Sequence, residues 1–200
     1  HGGAPSPDQT MAAVTGRGSS NIYLIDVVAG AVIGNRPNPL ASDTTTRDIV
    51  SSGVLVGREP HEPTWSRNGK EIWVALRGED RAAIVDVELA RREAAGENIR
   101  AIRSYLPTVY GPAQIWFSRD GRIAFVCSQK ISKVSVYDTN IQQDGFSKPT
   151  LRTTLDIAGQ DQFGFTPFMK LTPDGREMWF VHKLADGISA RSIDGDHGIV

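Results

Sequence analysis

A short polar turn followed by an apolar run occurs four times along this 200-residue chain, and no other feature constrains the fold as strongly. The copies are Ser6-Pro7-Asp8-Gln9 before Met11 to Val14, Ser66-Arg67-Asn68-Gly69 before Ile72 to Ala75, Ser118-Arg119-Asp120-Gly121 before Ile123 to Cys127, and Thr172-Pro173-Asp174-Gly175 before Met178 to Val181. The anchors Asp8, Asn68, Asp120 and Asp174 are separated by 60, 52 and 54 residues. Asn-Gly and Asp-Gly pairs mark hairpins because a type I′ turn needs positive φ at both central residues, which Gly adopts freely and Asn or Asp tolerates. Each anchor is therefore expected to be a tight turn between two strands.

A third strand, rich in β-branched residues, follows at Asn21 to Asp26, Ala83 to Val87 and Lys133 to Asp138, with a degenerate copy at Gly187 to Ala190. A fourth leads into the next copy at Gly53 to Val56, Ile99 to Tyr105 and Leu151 to Ile157. Four short strands per copy, joined by tight turns, make one blade of a β-propeller. A two-sheet sandwich also has regular short strands, but nothing in it requires the same turn chemistry before the same strand each time. The fold class is thus all-β, a partial propeller of four blades with four antiparallel strands each. The blades fall at about 1–56, 57–106, 107–158 and 159–200, the last incomplete. Glu88 to Asn98 has helix-favouring composition and predicts a short helix between strands three and four. Asn35 to Asp48, rich in Pro, Asn, Thr and Asp, predicts a long surface loop.

Charge restricts the partners. With 22 basic and 23 acidic residues the formal charge is −1, so no global field favours nucleic acid or a membrane surface, and any electrostatic recognition must be local. No apolar run approaches the ~20 residues a membrane-spanning helix needs. Cys127, the one cysteine, lies in an apolar strand and reads as a buried structural thiol; a multi-cysteine metal site and an internal disulfide are excluded. Trp65, Trp73, Trp116 and Trp179 stand in or beside the anchors, where large aromatics are expected to fill the space between neighbouring blades. The sequence contains no P-loop, no dinucleotide-binding glycine fingerprint, no Gly-x-Ser-x-Gly elbow and no His-Glu-x-x-His.

The segment Val54 to Ala75, with Val56-Gly57, Pro60-His61, Ser66-Arg67-Asn68-Gly69-Lys70 and Trp73-Val74-Ala75, resembles the YVTN-type propeller repeat. The other copies match the turn and second strand and differ before it. The resemblance implies relatives of several kinds: lactonase-like propellers, surface-layer binding proteins, quinoprotein dehydrogenase subunits and haem-carrying nitrite-reductase propellers. It also implies an extracytoplasmic location and a ring of seven or eight blades. About half of that ring would lie outside this sequence, which starts at His1 rather than Met, and would be supplied by further blades of a parent chain or by a second copy.

In an antiparallel meander the connections alternate ends, so the link entering strand one and the link between strands two and three share a rim opposite the anchor turns. That rim gathers His1, Arg58, His61 and Glu62 with Arg17, Arg77, Lys130, His182 and Lys183. His1 and His61 each precede their anchor by seven residues and so occupy equivalent places in adjacent blades; Ala113 and Pro167 fill that place in the others. Two imidazoles at a channel mouth are candidates for acid–base chemistry or for metal or haem ligation, although no third ligand has recognisable spacing. The basic residues, if they converge, form a positive funnel for a carboxylate or phosphate.

Two functions follow. The first is a binding scaffold whose rim presents Arg17, Arg58, His61, Arg77, Lys130, His182 and Lys183 to a small anionic ligand, a glycan or a protein partner. The second is an enzyme: a lactonase-like hydrolase in which His61 or Glu62 activates water, or a haem- or quinone-dependent oxidoreductase with His61 as an axial ligand. No cofactor is evident from the residues themselves.

Overall fold

In the computed structural model, which describes residues 1–37, 49–50, 53–157, 168–182, 187–194 and 198–199, each anchor closes a hairpin between the first two strands of a sheet. The first sheet holds β1 (Gly3–Pro5), β2 (Met11–Gly16), β3 (Asn21–Asp26) and β4 (Ala31–Val32). A two-residue pair, β5 (Arg36–Pro37) and β6 (Ile49–Val50), and β7 (Val54–Leu55), which returns to pair with β3, complete the first repeat. The second sheet contains β8 (Pro60–Trp65), β9 (Glu71–Leu76), β10 (Arg81–Asp86) and, after helix α1 (Val87–Ala94), β11 (Ile102–Pro107). The third holds β12 (Pro112–Phe117), β13 (Ile123–Ser128), β14 (Lys133–Asp138) and β15 (Thr150–Asp156). The fourth holds β16 (Phe168–Leu171), β17 (Glu177–His182), β18 (Gly187–Asp194) and β19 (Gly198–Ile199). Every sheet is an antiparallel meander, and the first strands β1, β8, β12 and β16 touch one another in succession, which puts them innermost. This is a run of four propeller blades.

The anchors are hairpin turns, but not of the expected backbone. Positive φ falls on one residue of each turn, Gln9 (61°), Gly69 (73°), Gly121 (76°) and Gly175 (76°), and not on the Asp or Asn before it. The amides of those residues donate to Ser6, Ser66, Ser118 and Thr172 carbonyls at 2.9–3.0 Å, the pattern of a type I turn followed by one left-handed residue. The Asx side chain serves a different purpose, since Oδ1 of Asp8, Asn68, Asp120 and Asp174 accepts the amide two residues on at 3.0–3.1 Å. The hydroxyl that opens each turn accepts the amide of Met11, Glu71, Ile123 or Glu177 at 3.0 Å. The recurring Ser/Thr-x-Asx signature therefore encodes side-chain caps for the loop amides rather than tolerance of positive φ.

Packing between sheets supplies the core. β9 and β13 are buried along their whole lengths because a neighbouring blade covers each face. Trp73 of blade 2 meets Phe117 of blade 3 edge-on, with centroids 5.2 Å apart, and Trp65 donates its indole N–H to Ala4 O of blade 1 at 3.0 Å. Trp116 lies under Lys170 of blade 4. Each large apolar side chain withdrawn from water in this way contributes about 1.5–3 kcal/mol.

Trp179 departs from the expectation. It is 46% exposed, on the outward face of blade 4 with Phe168, Val181 and Ile188, which are paired across β16, β17 and β18. The residue type is right for packing between blades, but this face meets no further blade here.

The predicted helix is present as α1, capped by Asp86, whose carboxylate accepts the Leu89 amide at 3.0 Å. Its buried Val87, Ala90 and Ala94 pack back onto blade 1. Of the predicted loop at Asn35 to Asp48, residues 38–48 lie outside the described residues; its base is pinned by the β5–β6 pair.

Candidate functional site

The innermost strand of blade 2 carries the candidate residues His61 and Glu62. β8 contains Pro60 and Pro63, which lack an amide hydrogen and are tolerated because this strand is an edge of its sheet. Its register against β9 slips between them, so that His61 and Glu62 sit in a bulge, and β12 repeats the slip at Ala113. Bulges re-aim side chains, and this one turns His61 into the protein.

His61 is fully buried, and neither ring nitrogen has a hydrogen-bond partner. The His1 ring lies against it with centroids 4.1 Å apart and planes at 50°. The Thr15 hydroxyl of blade 1 donates to the His61 carbonyl and fixes the backbone. Burial, reinforced by the positive charges of Arg77 and Arg17, pushes the imidazole pKa down to about 4; the Ala113 backbone, near the ring but outside hydrogen-bonding geometry, opposes this in part. At neutral pH the ring is therefore uncharged and offers one acceptor and one donor nitrogen.

Arg77 completes the cluster from the link after β9. Its Nη1 donates to Gln129 Oε1 of blade 3 at 2.9 Å, while its buried Nε has no hydrogen-bond partner and stands 3.5 Å from Glu59 Oε2. The other Glu59 oxygen is 3.5 Å from Arg17 Nη2 of blade 1. One carboxylate thus bridges two arginines from adjacent blades, and the charges of both arginines act on the His61 ring. A ligand carboxylate placed there would meet the same donors.

The remaining rim residues are dispersed. Glu62 accepts from Gln114 Nε2 at 2.6 Å, and Gln114 Oε1 accepts the Met169 amide at 2.7 Å, so Glu62 belongs to a polar seam along blades 2, 3 and 4. Arg58 turns outward into a groove of about 680 Å³ between blades 1 and 2, where its guanidinium donates to Gly78 O. Lys130 rests on the Tyr110 ring, 4.4 Å from its centroid, and donates to its hydroxyl. His182 Nε2 lies 2.7 Å from Ser189 Oγ in blade 4, its pKa lowered by burial and by Arg191. Lys183 lies outside the described residues. The single funnel expected from all these basic residues is thus narrower: Arg17 and Arg77 meet at one carboxylate, while Arg58 and Lys130 point elsewhere.

Glu59 and Gln129 were not legible as site residues. Glu59 carries one signal: its φ is +51°, and the equivalent position in blade 3 is Gly111, at +63°. A glutamate held in a left-handed conformation that blade 3 gives to glycine draws attention to its side chain. Among the described residues no group of three or more His, Cys, Asp or Glu is arranged to hold a metal. Cys127 is buried, and desolvation raises its pKa to about 12. No helix among the described residues is long and apolar enough to cross a membrane.

No protein-family model and no curated protein matches the sequence. Solved structures do match in fold. The periplasmic gluconolactonase PpgL of Pseudomonas aeruginosa is 19% identical, with a TM-score of 0.69 over 98% of this chain and 54% of that one. A putative 6-phosphogluconolactonase from Bacteroides uniformis is 12% identical, with a TM-score of 0.71 over 100% and 52%. Hydrazine synthase of Kuenenia stuttgartiensis is 14% identical, with a TM-score of 0.67 over 98% and 47%. The chain spans about half the length of the structures it matches. It shares with them the propeller fold.

Proposed function

We propose that this protein is a propeller binding scaffold that takes a small anionic ligand, a carboxylate above all, between His61, Arg77 and Arg17. The observation that carries the reading is a set of buried polar atoms without hydrogen-bond partners, His61 Nδ1, His61 Nε2 and Arg77 Nε, beside the Glu59 bridge. Buried polar groups are normally satisfied, and an unsatisfied set next to two guanidinium groups is chemically suited to an anion. The test is calorimetric titration of the protein with gluconate. Saturable binding in the wild type and a loss of about tenfold or more in Arg77→Ala supports the reading; equal affinity in both refutes it.

A second reading is hydrolysis of a lactone, for which His61, uncharged at pH 7 and with unpartnered ring nitrogens, offers an acceptor to a water, although a pKa of about 4 makes it a weak base. The fold shared with PpgL supports it by analogy only. Glucono-δ-lactone hydrolysis abolished by His61→Ala supports this reading, and activity that survives both His61→Ala and Arg77→Ala removes it. The same analogy supports an extracytoplasmic location. The half-length match supports further blades, from a longer chain or a second copy, over the exposed face of blade 4.

A further inference from the structure

We infer that two copies of this chain join end to end, the outward face of blade 4 in each seating on the outward face of blade 1 in the other, and so close one ring. This closure rests on the further blades proposed over blade 4 and not on the gluconate site, whose binding is measured separately. The three junctions inside the chain are built alike. The earlier blade contributes the residue five places after its anchor and the residue paired with it: Ala13 with Leu24, Trp73 with Ile84, and Phe125 with Val136. The later blade contributes the residues four and six places after its anchor: Ile72 and Val74, Ala124 and Val126, Met178 and Phe180. The residue three places before that anchor, Trp65, Phe117 or Leu171, packs into the same cluster.

The two ends of the run carry the two halves of a fourth such junction. Blade 4 presents Trp179, five places after its anchor and paired with Ala190, beside Val181, which is paired with Phe168 and Ile188. These four large side chains are 43–65% exposed, whereas Trp73, the counterpart of Trp179, has no exposure. Blade 1 presents Ala12 and Val14, four and six places after its anchor, opposite Ile25 and Tyr23; all four are half-buried. The faces differ in relief. Blade 1 has the exposed Pro5 where blades 2 and 3 place Trp65 and Phe117, and it has Ala12 where blades 2 and 4 place Ile72 and Met178. Short side chains thus stand where the Trp179 ring would seat, as Ala13 of blade 1 shares its cluster with Trp65 of blade 2. The chain spans about half the length of the propellers it matches, so two copies supply the blades of one ring. A contact between two different patches forms twice in such a pair, and the assembly is closed.

Sedimentation velocity on the 200-residue chain, from about 1 to 100 μM, tests this closure. A single species with the mass of two chains is expected. Ile188→Asp on blade 4 and Val14→Arg on blade 1 are each expected to weaken self-association about tenfold or more, because each places a charge in both junctions. An equimolar mixture of the two variants is expected to recover a dimer, since one of its two junctions then has both faces intact; that recovery also shows that each variant is folded. Four results would overturn the inference: a monomer throughout the concentration range, an open series of larger species, a dimer lost in Ile188→Asp but kept in Val14→Arg, or no recovery in the mixture. The third would mean that blade 4 pairs with itself.

Discussion

Glu59 and Gly111 occupy the same place in neighbouring blades and share a left-handed backbone, at φ +51° and +63°. For glycine this conformation is free; for glutamate it costs on the order of 1–2 kcal/mol. At Glu59 the side chain joins Arg17 to Arg77. Because the Glu59 carboxylate occupies the donors a ligand would use, Glu59→Gln is expected to raise affinity for gluconate about two- to fivefold, measured by calorimetry. A fall in affinity would show that Glu59 positions the arginines rather than competing for them.

The state of His61 makes stability depend on pH in a defined direction. Its pKa in the folded protein is about 4, below the ordinary value of 6.5, so between these values the unfolded chain binds more protons. The stability gained from keeping the ring neutral is complete above pH ~6.5 and is lost as pH falls toward 4, with a slope of at most ~1.4 kcal/mol per pH unit for one group. His182, also lowered, acts in the same sense. Urea midpoints measured at pH 7 and pH 5 should differ in wild type and differ less in His61→Gln.

The two exposures of tryptophan predict opposite mutational outcomes. Trp73 is fully buried between blades 2 and 3, and Trp73→Ala should cost about 3–5 kcal/mol in chemical denaturation. Trp179, nearly half exposed, should cost within ~0.5 kcal/mol when changed to Ser, and the variant should show less self-association by light scattering.

Gly121 carries both a positive φ and a close neighbour, since a Cβ there would lie 3.0 Å from Cγ of Arg67. Arg67 in turn donates to Phe117 and Ser118 carbonyls of the next blade. Gly121→Ala should therefore lower stability by about 1–2 kcal/mol, read from the urea midpoint, and loosen the contact between the turns of blades 2 and 3.

The fold was legible because its signal is local and repeated. Ser6, Ser66, Ser118 and Thr172 open turns whose chemistry can be read from four adjacent residues, although the Asx residue is there for a reason other than the expected one: it caps amides and does not adopt positive φ. The pairing of His1 with His61 followed from equal spacing before the anchors. What could not be read is direction. Arg58 and Arg77 look alike in sequence, yet one faces an outer groove and the other the inner rim, because strand register and bulges decide where a link points. Gln129 and Glu59 entered the site through contacts across blades, which spacing within one blade does not reveal.

The most direct test is to follow the His61 imidazole by long-range ¹H–¹⁵N NMR through a pH titration, with and without saturating gluconate. An anion seated between His61 and Arg77 stabilises the charged ring, so the His61 pKa should rise from about 4 toward its ordinary value when ligand is present. An unchanged His61 titration in the presence of bound gluconate would contradict the proposed site.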